Sequence, residues 1–331
     1  MLEITRRRGL ATVGTALIAA ATGCAAAVRA EEAWPQRPVT IIIGFPPGTA
    51  TDSVGRLLAD RLSRSLGQRF IIENRSGQGG SIGAAAVARA TPDGYNITIG
   101  ASAPQAINPH IYPDLPYDPR KDFTPVEQLV QLPYMLVAGK HTAFRSVADI
   151  VDKARAQPGT VTYATIGNGT TSQLMMAMLA KEAGVRMTHV PYRGTAQSLT
   201  DIVAGRVDIT FDTMIGTLPF ARDGRVRAIA VGTKARVPIA LEIPTTAEAG
   251  FPGTQGGAWL GVFGPAALPA PVVRRVHTEI EAVLADTAFQ RAIAEMGAVM
   301  DAAGPEDFAK IVRDDYNRWG EIVRVTGTRL E

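Results

Sequence analysis

Val39-Thr40-Ile41-Ile42-Ile43-Gly44-Phe45-Pro46-Pro47-Gly48-Thr49-Ala50-Thr51-Asp52 is the stretch whose reading decides the fold. Five residues rich in β-branched side chains read as a buried strand closed by Gly44. Apolar positions Val54, Leu57, Leu58, Leu62 and Leu66 then recur at helical spacing until Gly67 stops them. Strand, loop and helix in that order form half of a parallel crossover unit. Phe70-Ile71-Ile72 and Ile97-Thr98-Ile99 continue the pattern as strands, with an alanine-rich helix from Ile82 to Ala90 between them.

A second series opens after Tyr134-Met135-Leu136-Val137. Ser146-Val147-Ala148-Asp149 reads as a capping-box start, and Pro158-Gly159 ends that helix. Strand Val161 to Thr165, helix Thr171 to Ala183, strand Thr188 to Tyr192, helix Gln197 to Ala204, and strands Val207 to Phe211 and Val226 to Val231 follow. From Trp259-Leu260-Gly261-Val262-Phe263 the chain enters a mostly helical tail, with Pro271 and Pro305 opening helices. The chain exceeds the usual size of a single core. The expectation is an α/β architecture of two lobes, residues 36–137 with 261–331 and residues 138–260, each a mainly parallel sheet flanked by helices. Two crossings near Val137 and Leu260 act as the hinge.

In such sheets ligands sit where strands end and helices begin. Two loops fit that place, Gly44 to Asp52 and Gly167-Asn168-Gly169-Thr170-Thr171-Ser172. Both are rich in glycine or small hydroxylated residues. Both open a helix whose unpaired N–H groups and dipole favour an anion. Facing one another across a cleft they would clamp a carboxylate; ordinary turns and N-caps are the plain alternative.

Other chemistries find little support. No G-x-x-x-x-G-K-[ST] occurs, and Gly77-Gln78-Gly79-Gly80-Ser81-Ile82-Gly83 has Ile82 where a dinucleotide fingerprint needs its third glycine, so no cofactor is expected. Gly79-Gly80-Ser81-Ile82-Gly83 formally matches a hydrolase elbow, but the segment Asn74 to Gly80 separates Ser81 from the preceding strand. His110, His141, His189 and His277 are too scattered for a local metal motif. Asp314-Asp315 and Glu279 with Glu281 read as solvated helix faces.

Residues 1–30 read as a removable export signal: Arg6 to Arg8, an apolar stretch from Gly9 to Ala21, then small residues ending Ala27-Val28-Arg29-Ala30. General secretion and a twin-arginine route both remain open. Cys24, the one cysteine, lies in Ala21-Thr22-Gly23-Cys24, which partly resembles a lipobox, so lipidation there competes with cleavage after Ala30. Without residues 1–30 the basic and acidic side chains are equal in number, and no electrostatic footprint for nucleic acid remains.

Taken in order, several segments resemble the receptors of tripartite tricarboxylate transporters, the Bug family of periplasmic binding proteins. They are Gly44-Phe45-Pro46-Pro47-Gly48 with Asp52, Glu73-Asn74-Arg75-Ser76-Gly77-Gln78-Gly79-Gly80, Pro92-Asp93-Gly94-Tyr95, and Tyr117-Asp118-Pro119 leading to Asp122-Phe123-Thr124-Pro125. Further on stand Gly167-Asn168-Gly169-Thr170, Tyr192-Arg193-Gly194, Asp201 with Gly205-Arg206-Val207-Asp208, Phe211-Asp212, Pro244-Thr245 and Glu248-Ala249-Gly250. The resemblance implies a type II-like periplasmic-binding fold that closes over a small carboxylate, an organic acid, aromatic carboxylate or amino acid. It also implies a periplasmic location and delivery to membrane transporter subunits. Transferred by position, Phe45, Pro46, Gly48, Thr49, Ala50 and Asp52 face the ligand from one lobe and Gly169, Thr170, Thr171 and Ser172 from the other, with Ser102, Tyr192 and Asp212 toward its distal end. The sequence departs from the family pattern at Thr49, where a second glycine is usual, at Gln173, where histidine is frequent, and at Gln197, where proline is common. The competing readings are an exported hydrolase using Ser81 and a ligand sensor with a signalling partner.

Overall fold

A computed structural model describes residues 34–329. The expected export signal and Cys24 lie outside the described residues.

Strand β1 (Val39–Ile43) is buried along almost its whole length, as a parallel strand covered on both faces must be. It pairs in parallel with β2 (Phe70–Asn74) on one side and β3 (Asn96–Ala101) on the other. Helix α1 (Ala50–Leu66) makes the first crossover and stops at Gly67 in the left-handed conformation. Helix α2 (Ser81–Ala88) makes the second.

The next strand, β4 (Phe123–Gly139), begins well before the Tyr134-Met135-Leu136-Val137 run that the sequence singles out. It absorbs Pro125 at a register shift against the antiparallel β9 (Gly257–Pro265), and Pro133 stands at the end of that pairing, opposite Gly257. At Pro133 and Tyr134 the strand changes partners. Its first part pairs with β9 and with β10 (Val299–Ala303), and its last part with β7 (Ile209–Thr213) and β8 (Val226–Val231). The second sheet is completed by β5 (Thr162–Thr165) and β6 (Thr188–Pro191), parallel to one another, with β5 also parallel to β7. The full order is β2-β1-β3-β9-β4-β7-β5-β6, so the molecule has two lobes joined through β4 and the return segment before β9. Backbone bonds from Gly232 to Tyr134 and from Gly256 to Gly232 tie the two crossings together.

In the second lobe α3 (Val147–Ala156) starts on the expected capping box, Ser146 and Asp149 exchanging bonds. Helices α4 (Thr171–Ala183), α5 (Thr195–Val203) and α6 (Met214–Arg222) follow. The sequence reading missed α6, which carries Pro219 inside it. The tail is helical as expected: α7 (Ala270–Ala285), α8 (Thr287–Met296) and α9 (Pro305–Thr326). Helix α7 packs on α1, where Ser65 donates to Glu279 at 2.7 Å and Arg61 pairs with Asp286 at 3.3 Å. Asp315 is not the solvated residue the sequence suggested. It is only partly exposed, and accepts from the indoles of Trp259 and Trp319 at 2.9 and 3.0 Å.

Candidate functional site

The loop after β1 and the loop after β5 are built alike. Thr49, the N-cap of α1, donates its hydroxyl backwards to the Pro46 carbonyl at 2.9 Å, and Thr170, the N-cap of α4, does the same to Gly167 at 2.7 Å. The Gly48 N–H is taken by Asp52 and the Gly169 N–H by Gln173, each at 2.9 Å and each four residues on. Gly-Thr-x-x-Asp and Gly-Thr-x-x-Gln are therefore one device used twice. Its effect is to brace the loop while leaving the first N–H groups of the helix without a side-chain cap. Those donors have no partner inside the helix.

Helices α5 and α6 also begin without side-chain caps, at Gly194 and Thr213. All four helix starts meet one cavity between the lobes. Its walls are Phe45, Thr49, Ala50 and Thr51 of the first loop and helix, Ala101 and Ala103 beyond β3, and Ile166, Thr170, Thr171, Thr195, Asp212 and Thr213 of the second lobe. Leu132, Tyr134 and Ala258 of the crossings form its floor. The enclosed volume is about 30 Å³, the room of a couple of water molecules, so the lobes must part to admit a ligand. Four uncapped helix starts on one buried cavity concentrate partial positive charge there.

Contacts across the lobes close the cavity. Tyr112 donates its hydroxyl to the Asn168 carbonyl at 3.1 Å. Asn108 holds the first-lobe loop through the Gln78 and Gly79 carbonyls at 2.9 and 3.1 Å, and its Oδ1 faces Gly169. Gly169 has φ +73°, and a Cβ there would lie 2.5 Å from Asn108 Oδ1 and 2.8 Å from the Tyr112 ring. Outside this closure lies an open cleft of about 770 Å³ whose lining includes Phe45, Pro46, Tyr192 and Arg193.

Of the residues singled out from the sequence, Phe45, Thr49, Ala50, Thr170, Thr171 and Asp212 line the cavity, and Pro46 and Tyr192 line the outer cleft. The others are not among the lining residues, and each has an internal task. Gly48 and Gly169 have their N–H groups bound as described. Asp52 accepts from Arg56 and from Asn74 as well as Gly48, at 2.9 to 3.0 Å. Burial opposes its charge, but the Arg56 guanidinium and these donors outweigh burial and hold the carboxyl below its usual range. Ser102 accepts from the Trp259 N–H at 3.0 Å, and Ser172 donates to the Phe211 carbonyl at 2.6 Å. Tyr192 donates to Asp201 at 2.7 Å. The methyl group of Thr49 lies near Gly194. Sequence reasoning missed Thr51, Tyr134, Thr195 and Thr213; the repeated Gly-Thr-x-x-Asp/Gln spacing was the available signal for Thr51.

Asp212 differs from the rest. It is fully buried at the end of β7, where Oδ1 accepts the Thr213 N–H at 2.6 Å and Oδ2 has no partner. The Thr213 hydroxyl is likewise buried and unpaired. Burial pushes the Asp212 carboxyl up to about 6, against the pull of Thr195 and Thr213, and no ammonium or guanidinium group acts on it.

Ser81 has no catalytic setting. It is fully buried, accepting from Asn108 Nδ2 at 2.7 Å and from the Tyr117 hydroxyl at 3.0 Å. Neither neighbour is a base, and burial raises the Tyr117 phenol further from ionisation. The hydrolase expectation fails on that geometry. Among the described residues no group of three or more His, Cys, Asp or Glu side chains could hold a metal ion, and no helix is long and apolar enough to cross a membrane.

The profile of the family described as "Tripartite tricarboxylate transporter family receptor" matches residues 54–328. Protein BugT of Bordetella pertussis is 31% identical over 98% of this chain and 99% of its own. Among solved structures, R. palustris Rpa4515 with adipate superposes with a TM-score of 0.87 at 36% identity, covering 90% of this chain and 100% of that one. MatC from Rhodopseudomonas palustris with bound malate gives 0.83 at 32% identity, covering 88% and 100%.

Proposed function

Because the chain belongs to the tripartite tricarboxylate transporter receptor family, we propose that it captures a small carboxylate in the cavity between its lobes. We further propose that it does so in the periplasm and presents the closed complex to the membrane subunits of such a transporter. The observation that carries the reading is the convergence of four uncapped helix N-termini on one buried cavity. A buried helix end without a cap lacks partners for its donors, and a carboxylate supplies them with charge of the favourable sign. The relatives solved with adipate and malate hold ligands of this class.

The ligand would contact the N–H groups at the start of α1 and α4, with Phe45, Thr49, Ala50, Thr170, Thr171 and Asp212 around it. We place the lobe boundary at the partner change of β4, between Pro133 and Tyr134, and on the return at Gly232 to Gly257. This is a few residues before the positions near Val137 and Leu260 suggested by sequence. Opening about these crossings admits the ligand, and the Tyr112 to Asn168 bond forms on closure.

Thermal denaturation against a panel of mono-, di- and tricarboxylates, amino acids included, tests the reading. A ligand at 100 times its dissociation constant stabilises the fold by about 2.7 kcal/mol. Shifts with sugars or amines and none with any carboxylate would defeat it.

A further inference from the structure

A clamp made only of helix ends has no use for a buried carboxylate, yet Asp212 stands in the same cavity. Its Oδ2 is sealed from solvent with nothing to accept from, and the hydroxyl of Thr213 beside it is equally without partner. Unpaired buried acceptors are rare because each forgoes its bonds to water. A bound carboxylate satisfies Asp212 only if one of the two takes up a proton, since two anions in so small a space repel. Building on the receptor reading above, we propose that the ligand carries a hydrogen-bond donor, a hydroxyl or an ammonium group, on a carbon close to its carboxylate, and that Asp212 selects for it.

The dimensions support a donor near the carboxylate. The starts of α1 and α4, Asp212 and Thr213 all border one small cavity, so a group that meets Asp212 shares that cavity with the carboxylate held by the helix ends. The elements around Asp212 present hydroxyls and no cation: Thr213 on its own chain, Thr195 at the start of α5, and Tyr134 on β4 opposite. Any cationic partner of Asp212 would therefore come with the ligand. Thr213 can serve the same group as acceptor or donor.

Isothermal titration calorimetry of the purified protein near pH 7.5 tests this with matched acids: succinate, 2-hydroxysuccinate and 2-aminosuccinate, then adipate and 2-aminoadipate. Within each skeleton the substituted acid is expected to bind about tenfold or more tightly than its parent, as a charge-assisted bond gained in a buried site should give. In Asp212→Asn the advantage of the amino acids should fall below about threefold. The hydroxy and amino arms distinguish which donor is used. Parents that bind as tightly as their substituted partners overturn the inference and leave the receptor reading in place. Binding of none of these acids, together with no response in the carboxylate panel, overturns both. The comparison among acids on the unaltered protein decides the matter even if Asp212→Asn folds poorly.

Discussion

Replacing Asp212 by Asn is expected to stabilise the ligand-free protein at neutral pH, and the size follows from its surroundings. Burial pushes its carboxyl up to about 6 from an ordinary 3.8. The folded state therefore holds a proton that the unfolded state has released between those values. A raised carboxyl makes the folded state bind more protons, so stability falls as pH rises from about 4 through 6. Above that window the cost is about 3 kcal/mol at most, at 1.36 kcal/mol for each factor of ten in proton affinity. The Thr213 N–H stays in place to bond the amide, which copies the shape of the neutral acid. Urea denaturation of both proteins without ligand should show Asp212→Asn more stable by about 1–3 kcal/mol near pH 7.5, with the difference gone below about pH 4. Equal stability near pH 7.5, or a loss that is the same at both pH values, would refute the reasoning. It would mean that Asp212 is well satisfied in its buried site.

Gly169→Ala should weaken carboxylate binding by about tenfold or more and destabilise the fold by about 1–3 kcal/mol, because φ +73° and the contact with Asn108 Oδ1 both resist a side chain; His141→Ala, in the turn just after β4, should leave affinity unchanged, and calorimetry compares the two. Tyr112→Phe removes the bond to the Asn168 carbonyl and should speed ligand release by a few-fold, about 1 kcal/mol, in stopped-flow fluorescence. His277→Ala leaves Glu127, 1% exposed and bonded to that imidazole at 2.5 Å, without its partner. The loss should be about 3 kcal/mol, and adding Glu127→Gln should restore part of it in a double-mutant cycle. Ser81→Ala should cost about 1–2 kcal/mol in urea through the lost bonds of Asn108 and Tyr117.

The alternation of strands and helices was legible because β1, α1, α4 and β8 have uninterrupted apolar patterns bounded by glycine or proline. The length of β4 was not, because Pro125 and Pro133 break the local signal while antiparallel pairing with β9 overrides it. Helix α6 hid behind Pro219, and β10 behind its half-exposed alternation at the edge. The two loops that open α1 and α4 were legible from composition, but which of their groups remain free was not. Composition marks Gly48 and Gly169 alike, but not that their N–H groups donate to Asp52 and Gln173. Thr195 and Thr213 reach the cavity from helices whose starts carry no glycine-rich mark in sequence, so their convergence with Thr49 and Thr170 is a property of the sheet order alone.

A crystal structure with a bound carboxylate tests the central claim most directly. The expected result places the carboxylate oxygens within about 3 Å, directly or through one ordered water, of the first N–H groups of α1 and α4, at Ala50 and Thr51 and at Thr170 and Thr171. A ligand seated instead in the outer cleft beside Arg193 and Gln197, with those N–H groups left to water, would contradict it.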